Sequence, residues 1–138
     1  MLMIIDATDL ILGRLASFAA KKALLGEKVE IVNSREAVIV GDKRVILEKY
    51  KRKVARGDPH HGPFFPASAE RILRRTIRNM MPHRRYRGKV ALKNIRCHLG
   101  IPDSIRKEDI VNVENARIKE GTLKYIKMRE LVYLLRQK

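Results

Sequence analysis

Met3-Ile4-Ile5-Asp6-Ala7, the run from Leu12 to Gly26, and Lys28-Val29-Glu30-Ile31-Val32-Asn33 decide the fold of this chain. The first is a short apolar run with β-branched residues, which reads as a buried strand. The second carries Leu15, Ala16, Phe18, Ala19, Ala20, Ala23, Leu24 and Leu25 around most of a helical circumference. A helix apolar on that many sides is largely buried, and its alanines permit close approach to a sheet. Gly26 suits the residue just past its end. The third run alternates and stops at a turn-forming Asn-Ser, as a second strand should. Strand, helix, strand is the beginning of an α/β fold with a mainly parallel sheet, and right-handed crossovers place helices on both of its faces.

The rest of the chain extends this unit. Ala37-Val38-Ile39-Val40 reads as a third strand stopped by Gly41. Asp42 can cap the helix that follows, and Gly57 can close it. Gly57-Asp58-Pro59-His60-His61-Gly62-Pro63-Phe64-Phe65-Pro66 holds three prolines and two glycines, which excludes a helix or a central strand. Ser68 is placed to cap the next helix, without a capping box because Arg71 stands three residues on. Pro82 ends that helix. His83 to Lys89 reads as a second, very basic loop, with one or two helical turns from Val90 to Ile95. Ile95 to Leu99 reads as a late strand, and Lys127 to Arg136 as a final helix with Met128, Leu131, Val132 and Leu135 on one side. The 138 residues are expected to form a single domain. Residues 57–66 and 82–89 would be its Gly/Pro and basic loops. Residues 103–138 would be a C-terminal extension packed on the core.

Charge is the functional signal. The chain carries a net +16 with 45% hydrophobic residues, so it is a folded polycation rather than a disordered basic tail. Residues 1–30 are neutral, with four basic and four acidic residues, whereas residues 31–96 hold eighteen basic against five acidic. Between Arg71 and Arg96 there are ten basic residues and no acidic one. Arg71, Arg74, Arg75 and Arg78 follow the i, i+3, i+4, i+7 spacing of one helical face, opposite Ile72, Leu73, Ile77 and Met80. Lys49, Arg52, Lys53 and Arg56 repeat that spacing, opposite Ile46, Leu47, Tyr50 and Val54. Two such stripes point to a polyanion, and the planar arginine fork suits phosphate. With three Phe, four Tyr and no Trp, the chain lacks a platform for stacking successive bases, so structured RNA contacted through its backbone is expected. Substituting Arg74 and Arg75 by Ala is then expected to weaken binding with little change in melting temperature.

Other chemistries have weak support. Leu12-Gly13-Arg14-Leu15 sits where a dinucleotide fingerprint would, but Gly13 is the only glycine of the three required. His60, His61, His83, Cys97 and His98 lack the paired short spacings of a zinc site. Asp6 at a strand end is the best catalytic candidate, and a turn-capping role explains it equally well. No metal, cofactor, small-molecule substrate or catalytic residue is expected. One cysteine excludes an intrachain disulfide and fits a reducing cytosol. No apolar run approaches the ~20 residues of a membrane helix, and the start has no basic segment like that of a signal peptide. The rivals left are a small α/β enzyme acting on nucleotide or RNA, and a DNA-binding architectural protein.

Ile5-Asp6-Ala7, Leu12-Gly13-Arg14-Leu15-Ala16, Ile31-Val32-Asn33-Ser34 and Val38-Ile39-Val40-Gly41 come in the order of a known family. So do Pro63-Phe64, Pro66, Arg71 to Arg78, Met80-Met81-Pro82, Gly88-Lys89 and Ala91-Leu92. Over residues 4–103 the chain closely resembles the universal large-subunit ribosomal protein family numbered thirteen in the L series. Its loop and length resemble the archaeal and eukaryotic branch. Asn79 stands where that family usually has glycine. The resemblance implies a three-layer α/β/α domain with a four-stranded, mainly parallel sheet. It also implies a cytoplasmic, ribosomal location and early assembly onto large-subunit rRNA beside neighbouring ribosomal proteins. The RNA-binding residues then expected are Lys49, Arg52, Lys53 and Arg56; His60 and His61; Arg71, Arg74, Arg75 and Arg78; and His83, Arg84, Arg85, Arg87, Lys89 and Lys93.

Overall fold

The computed structural model describes residues 1–137. Its centre is the predicted unit: β1 (Leu2–Asp6), α1 (Leu12–Leu24) and β2 (Lys28–Val32). β1 and β2 pair in parallel with Ile5 opposite Ile31. β4 (Ile95–Cys97) adds in parallel to the outer side of β2, and β5 (Ile110–Val111) to the outer side of β1. The four-stranded sheet therefore runs β4-β2-β1-β5.

The strand predicted at 37–40 forms, as β3 (Val38–Val40), but outside this sheet. It pairs antiparallel with β6 (Tyr125–Lys127). β2 already has partners on both sides. Asn33 at φ +56 and a 3-10 turn at Ser34–Glu36 redirect the chain before β3 begins. The fourth strand of the parallel sheet is instead the two-residue β5.

The sheet face carrying Ile5, Val29, Ile31 and Ile95 supports the main apolar cluster. That cluster also takes side chains from all five helices: Leu15 and Ala19 of α1, Ile46 and Tyr50 of α2 (Lys43–Ala55), and Ile72, Leu73 and Ile77 of α3 (Ala69–Asn79). Ala91 of α4 (Tyr86–Lys93) and Met128 and Leu131 of α5 (Met128–Arg136) complete it. Ile4 and Val32, on the opposite face, are buried outside the cluster. Glu30 lies among them and meets His98 at 3.3 Å.

Local signals place the basic helices. The Asp42 carboxylate accepts from the Arg44 N–H at 2.9 Å and caps α2 as predicted. Ser68 occupies the capping position of α3 without the capping hydrogen bond, because its hydroxyl donates to the Glu70 carboxylate instead. Asn79 remains helical, and α3 ends without a left-handed residue as the Met80 N–H reaches the Ile77 carbonyl at 3.0 Å.

The predicted loop over 82–89 is corrected: α4 begins at Tyr86, so only its first part is irregular. The glycine that suggested a loop is what allows the helix. A β-carbon on Gly88 would lie 2.0 Å from the Pro82 carbonyl oxygen, so only glycine lets α4 pack that closely against the chain leaving α3.

Candidate nucleic-acid interface

Aromatic packing brings the two basic stripes together. Phe65, from the Pro-rich loop, packs on Tyr50 of α2 with ring centroids 6.0 Å apart. The Lys53 ammonium lies 5.1 Å from the Tyr50 ring centroid and 5.5 Å from that of Phe65. The Arg75 guanidinium lies 4.8 Å from the Phe65 centroid and donates to the Phe64 carbonyl at 3.1 Å. One aromatic pair thus carries a cation from each helix. The pKa of Lys53 is lowered from the ordinary lysine value, first by burial and then by the charges of Lys49, Arg75 and Arg56. Among the described residues Lys49, Lys53, Arg56 and Arg75 form no salt bridge.

The two stripes differ in what their side chains do. On α2, Lys49 and Arg52 are exposed and Lys53 is half-buried on the rings. Arg56 lies just past the helix, on extended backbone. Arg52 approaches Glu48 at 4.0 Å, a solvent-exposed pair of small energetic consequence. On α3, Arg71 is exposed, whereas Arg74, Arg75 and Arg78 are half-buried.

Arg74 is a structural tie. Its guanidinium donates to the carbonyl of Ile95 and, at 3.1 Å, to that of Leu92. β4 is an edge strand, and its bonds to β2 use Asn94 and His98, whose alternation leaves the Ile95 carbonyl on the open side. Leu92 sits in the last turn of α4, where a cation also complements the helix dipole. Arg74 therefore closes a sheet edge and a helix end together. Arg78 has a buried Nε with no partner among the described residues.

The remaining predicted residues lie on the 57–66 loop and on or just before α4. His60 and His61 are exposed on a tight turn. There the Asp58 N–H donates to the His61 carbonyl, the His61 N–H donates back to that of Asp58, and the Asp58 carboxylate accepts from the His60 N–H at 3.1 Å. Gly57, at φ +92, admits the Pro63 carbonyl against it and so folds the loop back on itself. Arg84 and Arg85 are exposed just before α4, Arg87, Lys89 and Lys93 are exposed along it, and His83 is half-buried. The periodicity identified the cations but not Tyr50 and Phe65 as the platform shared by Lys53 and Arg75. Phe64-Phe65 between prolines is the local signal that could have shown it.

The residues weighed for other chemistry have local roles. The Asp6 carboxylate accepts from the Thr8 N–H at 2.9 Å, the Thr8 hydroxyl at 2.7 Å and the Asn33 amide at 3.0 Å, which makes it a turn cap. Burial pushes the Cys97 thiol up to about 12, against the nearby Arg74 charge that favours the thiolate. Among the described residues no group of three or more His, Cys, Asp or Glu side chains could hold a metal ion. Among the described residues no helix is long and apolar enough to cross a membrane.

The family described as Ribosomal protein L13 matches residues 1–104. The chain belongs to the ribosomal protein L13 family. Relatives named "Large ribosomal subunit protein uL13" agree along most of its length. That of Archaeoglobus fulgidus is 40% identical over 130 residues, covering 93% of this chain and 83% of the relative. That of Methanosarcina barkeri is 39% identical over 130 residues, covering 93% of each. That of Methanococcoides burtonii is 44% identical over 115 residues, covering 83% of each. L13-family membership makes this a structural ribosomal protein rather than an enzyme, and the resemblance seen over residues 4–103 coincides with the matched span. In this L13-family chain α2, α3 and α4, which carry the basic stripes and the cations that follow them, lie within the matched region, whereas α5 lies beyond it.

Proposed function

We propose that this chain is a constituent of the large ribosomal subunit that binds large-subunit rRNA through the surface built by α2, the 57–66 loop, α3 and α4, and that it joins the subunit early in assembly, beside other ribosomal proteins. The observation that carries this reading is the seating of Lys53 and Arg75 on the Tyr50–Phe65 pair, where burial first, and then the charges of Lys49, Arg75 and Arg56, lower the Lys53 pKa. A phosphate backbone seated there removes that repulsion. Lys49, Arg52, Arg56 and Arg71 have exposed side chains able to reach phosphates, and Arg84, Arg85, Arg87, Lys89 and Lys93 extend the same contact along α4. His60 and His61 hydrogen-bond RNA from their turn. Arg74 acts mainly by holding β4 and α4 in place. Recognition is by shape and backbone rather than by base edges.

The test is sedimentation of the native chain from cell extract at low and then moderate salt. Co-migration with the large subunit at both is expected. A free, slowly sedimenting peak at both salts would overturn the proposal.

A further inference from the structure

A second basic site lies apart from the stripes. A half-open cavity of about 410 Å³ is enclosed by the 3-10 turn at Ser34–Glu36, the start of α3 and one side of α5. That volume is within the ~300–1,000 Å³ of sites that hold a small organic group. Arg35, Arg129 and Arg136 line it together with Leu99, Val132 and Tyr133, and no carboxylate does. Two of the arginines are held in place from behind. Arg129 meets the Glu36 carboxylate at 3.4 Å, and the Arg136 Nε–H donates to the Ala67 carbonyl at 3.3 Å. Each of these contacts occupies one part of a five-donor fork and leaves other N–H groups free. Tyr133 is 65% exposed, so its ring is available for contact.

We propose that this cavity receives one unstacked nucleotide of the RNA, with its base on Tyr133 and its phosphate on Arg35 and Arg136. The inference rests on the RNA reading above and adds a site that shares no residue with the stripes. An aromatic ring beside fixed guanidinium groups is the combination that captures a splayed-out base with its phosphate. A carboxylate from a protein neighbour would satisfy the arginines but leave the apolar wall of Leu99, Val132 and Tyr133 uncovered.

The test uses the full chain bound to large-subunit rRNA carrying 4-thiouridine or 6-thioguanosine, irradiated, with the crosslinked peptides identified. Crosslinks at Tyr133 are expected beside others on α2 and α4. Tyr133→Ser should remove them and weaken RNA binding by about tenfold, while Tyr133→Phe restores both, because stacking needs the ring and not the hydroxyl. Melting temperature should not move in either variant, since the side chain is largely exposed. Crosslinks on α2 and α4 but none at Tyr133, with affinity unchanged in Tyr133→Ser, would overturn the pocket and leave the rRNA reading standing. Absence of crosslinks anywhere would overturn both. A protein segment crosslinked at Tyr133 in the assembled subunit would also overturn the pocket.

Discussion

Replacing Arg74 by Ala should destabilise the free protein, although the residue stands in the middle of a stripe that reads as an RNA clamp. The guanidinium donates to the Ile95 and Leu92 carbonyls. A hydrogen bond from a charged donor contributes roughly 1.5–3 kcal/mol, and a half-buried site belongs at the low end of that range. Losing both should cost about 2–4 kcal/mol. For a chain of this size each kcal/mol moves the melting temperature by roughly 3–4 °C, so the fall should be about 6–16 °C. Arg71, one turn away on the same stripe, is exposed and has no internal partner among the described residues. Arg71→Ala should stay within about 0.5 kcal/mol, or less than about 2 °C. Arg74→Lys should be intermediate, because a compact ammonium cannot reproduce the two-carbonyl fork. The assay is thermal unfolding of the full chain without RNA, followed by circular dichroism. Equal melting temperatures for the Arg74→Ala and Arg71→Ala variants would refute the reasoning. The outcome expected here reverses what the stripe alone implies, namely a loss of binding at constant stability.

Three further predictions follow from the same contacts. Gly88→Ala drives a methyl into the Pro82 carbonyl and should cost about 1–3 kcal/mol of stability, and a wild-type melting curve would show that α4 does not pack as described. Lys53 has a lowered pKa when folded, so the unfolded chain binds more protons between that value and 10.5, and its charge weakens folding below that window. Lys53→Met should therefore raise the melting temperature slightly at pH 7 while weakening RNA binding, and a fall in melting temperature would contradict the sign. With its thiol pushed up to about 12, Cys97 should be alkylated at pH 8 on the order of a thousandfold more slowly than in the urea-unfolded chain, measured by mass spectrometry.

The legible parts of this fold are those whose signal is local. β1, α1 and β2 follow from hydrophobic pattern within 34 residues, and Asp42, by its side chain, and Pro82, by its backbone, mark helix ends. What lies across a helix from distant sequence was not legible. The spacing of Arg74 says which face it shares, but not that an edge strand twenty-one residues later stands opposite it. β5 has two residues and no pattern to read, and β3 found its partner 85 or more residues away at β6. Gly88 carries opposite meanings in the two descriptions. In the sequence it suggests a loop, and in the structure it is the residue that lets a helix approach backbone. The cations of the candidate interface were legible as charges, while the support of Lys53 and Arg75 on Tyr50 and Phe65 depended on a loop conformation that composition does not encode.

The affinity of the full chain for large-subunit rRNA as a function of salt tests the central claim most directly. With Arg74 tied to carbonyls, the other seven stripe residues alone, each neutralising one phosphate, give a slope of log K against log salt of roughly −5 to −6, and the contacts along α4 make it steeper. Folded rRNA should also be preferred to duplex DNA at equal salt. A slope near −2, or equal affinity for the DNA, would mean that the basic surface is a solvated face and not the RNA interface.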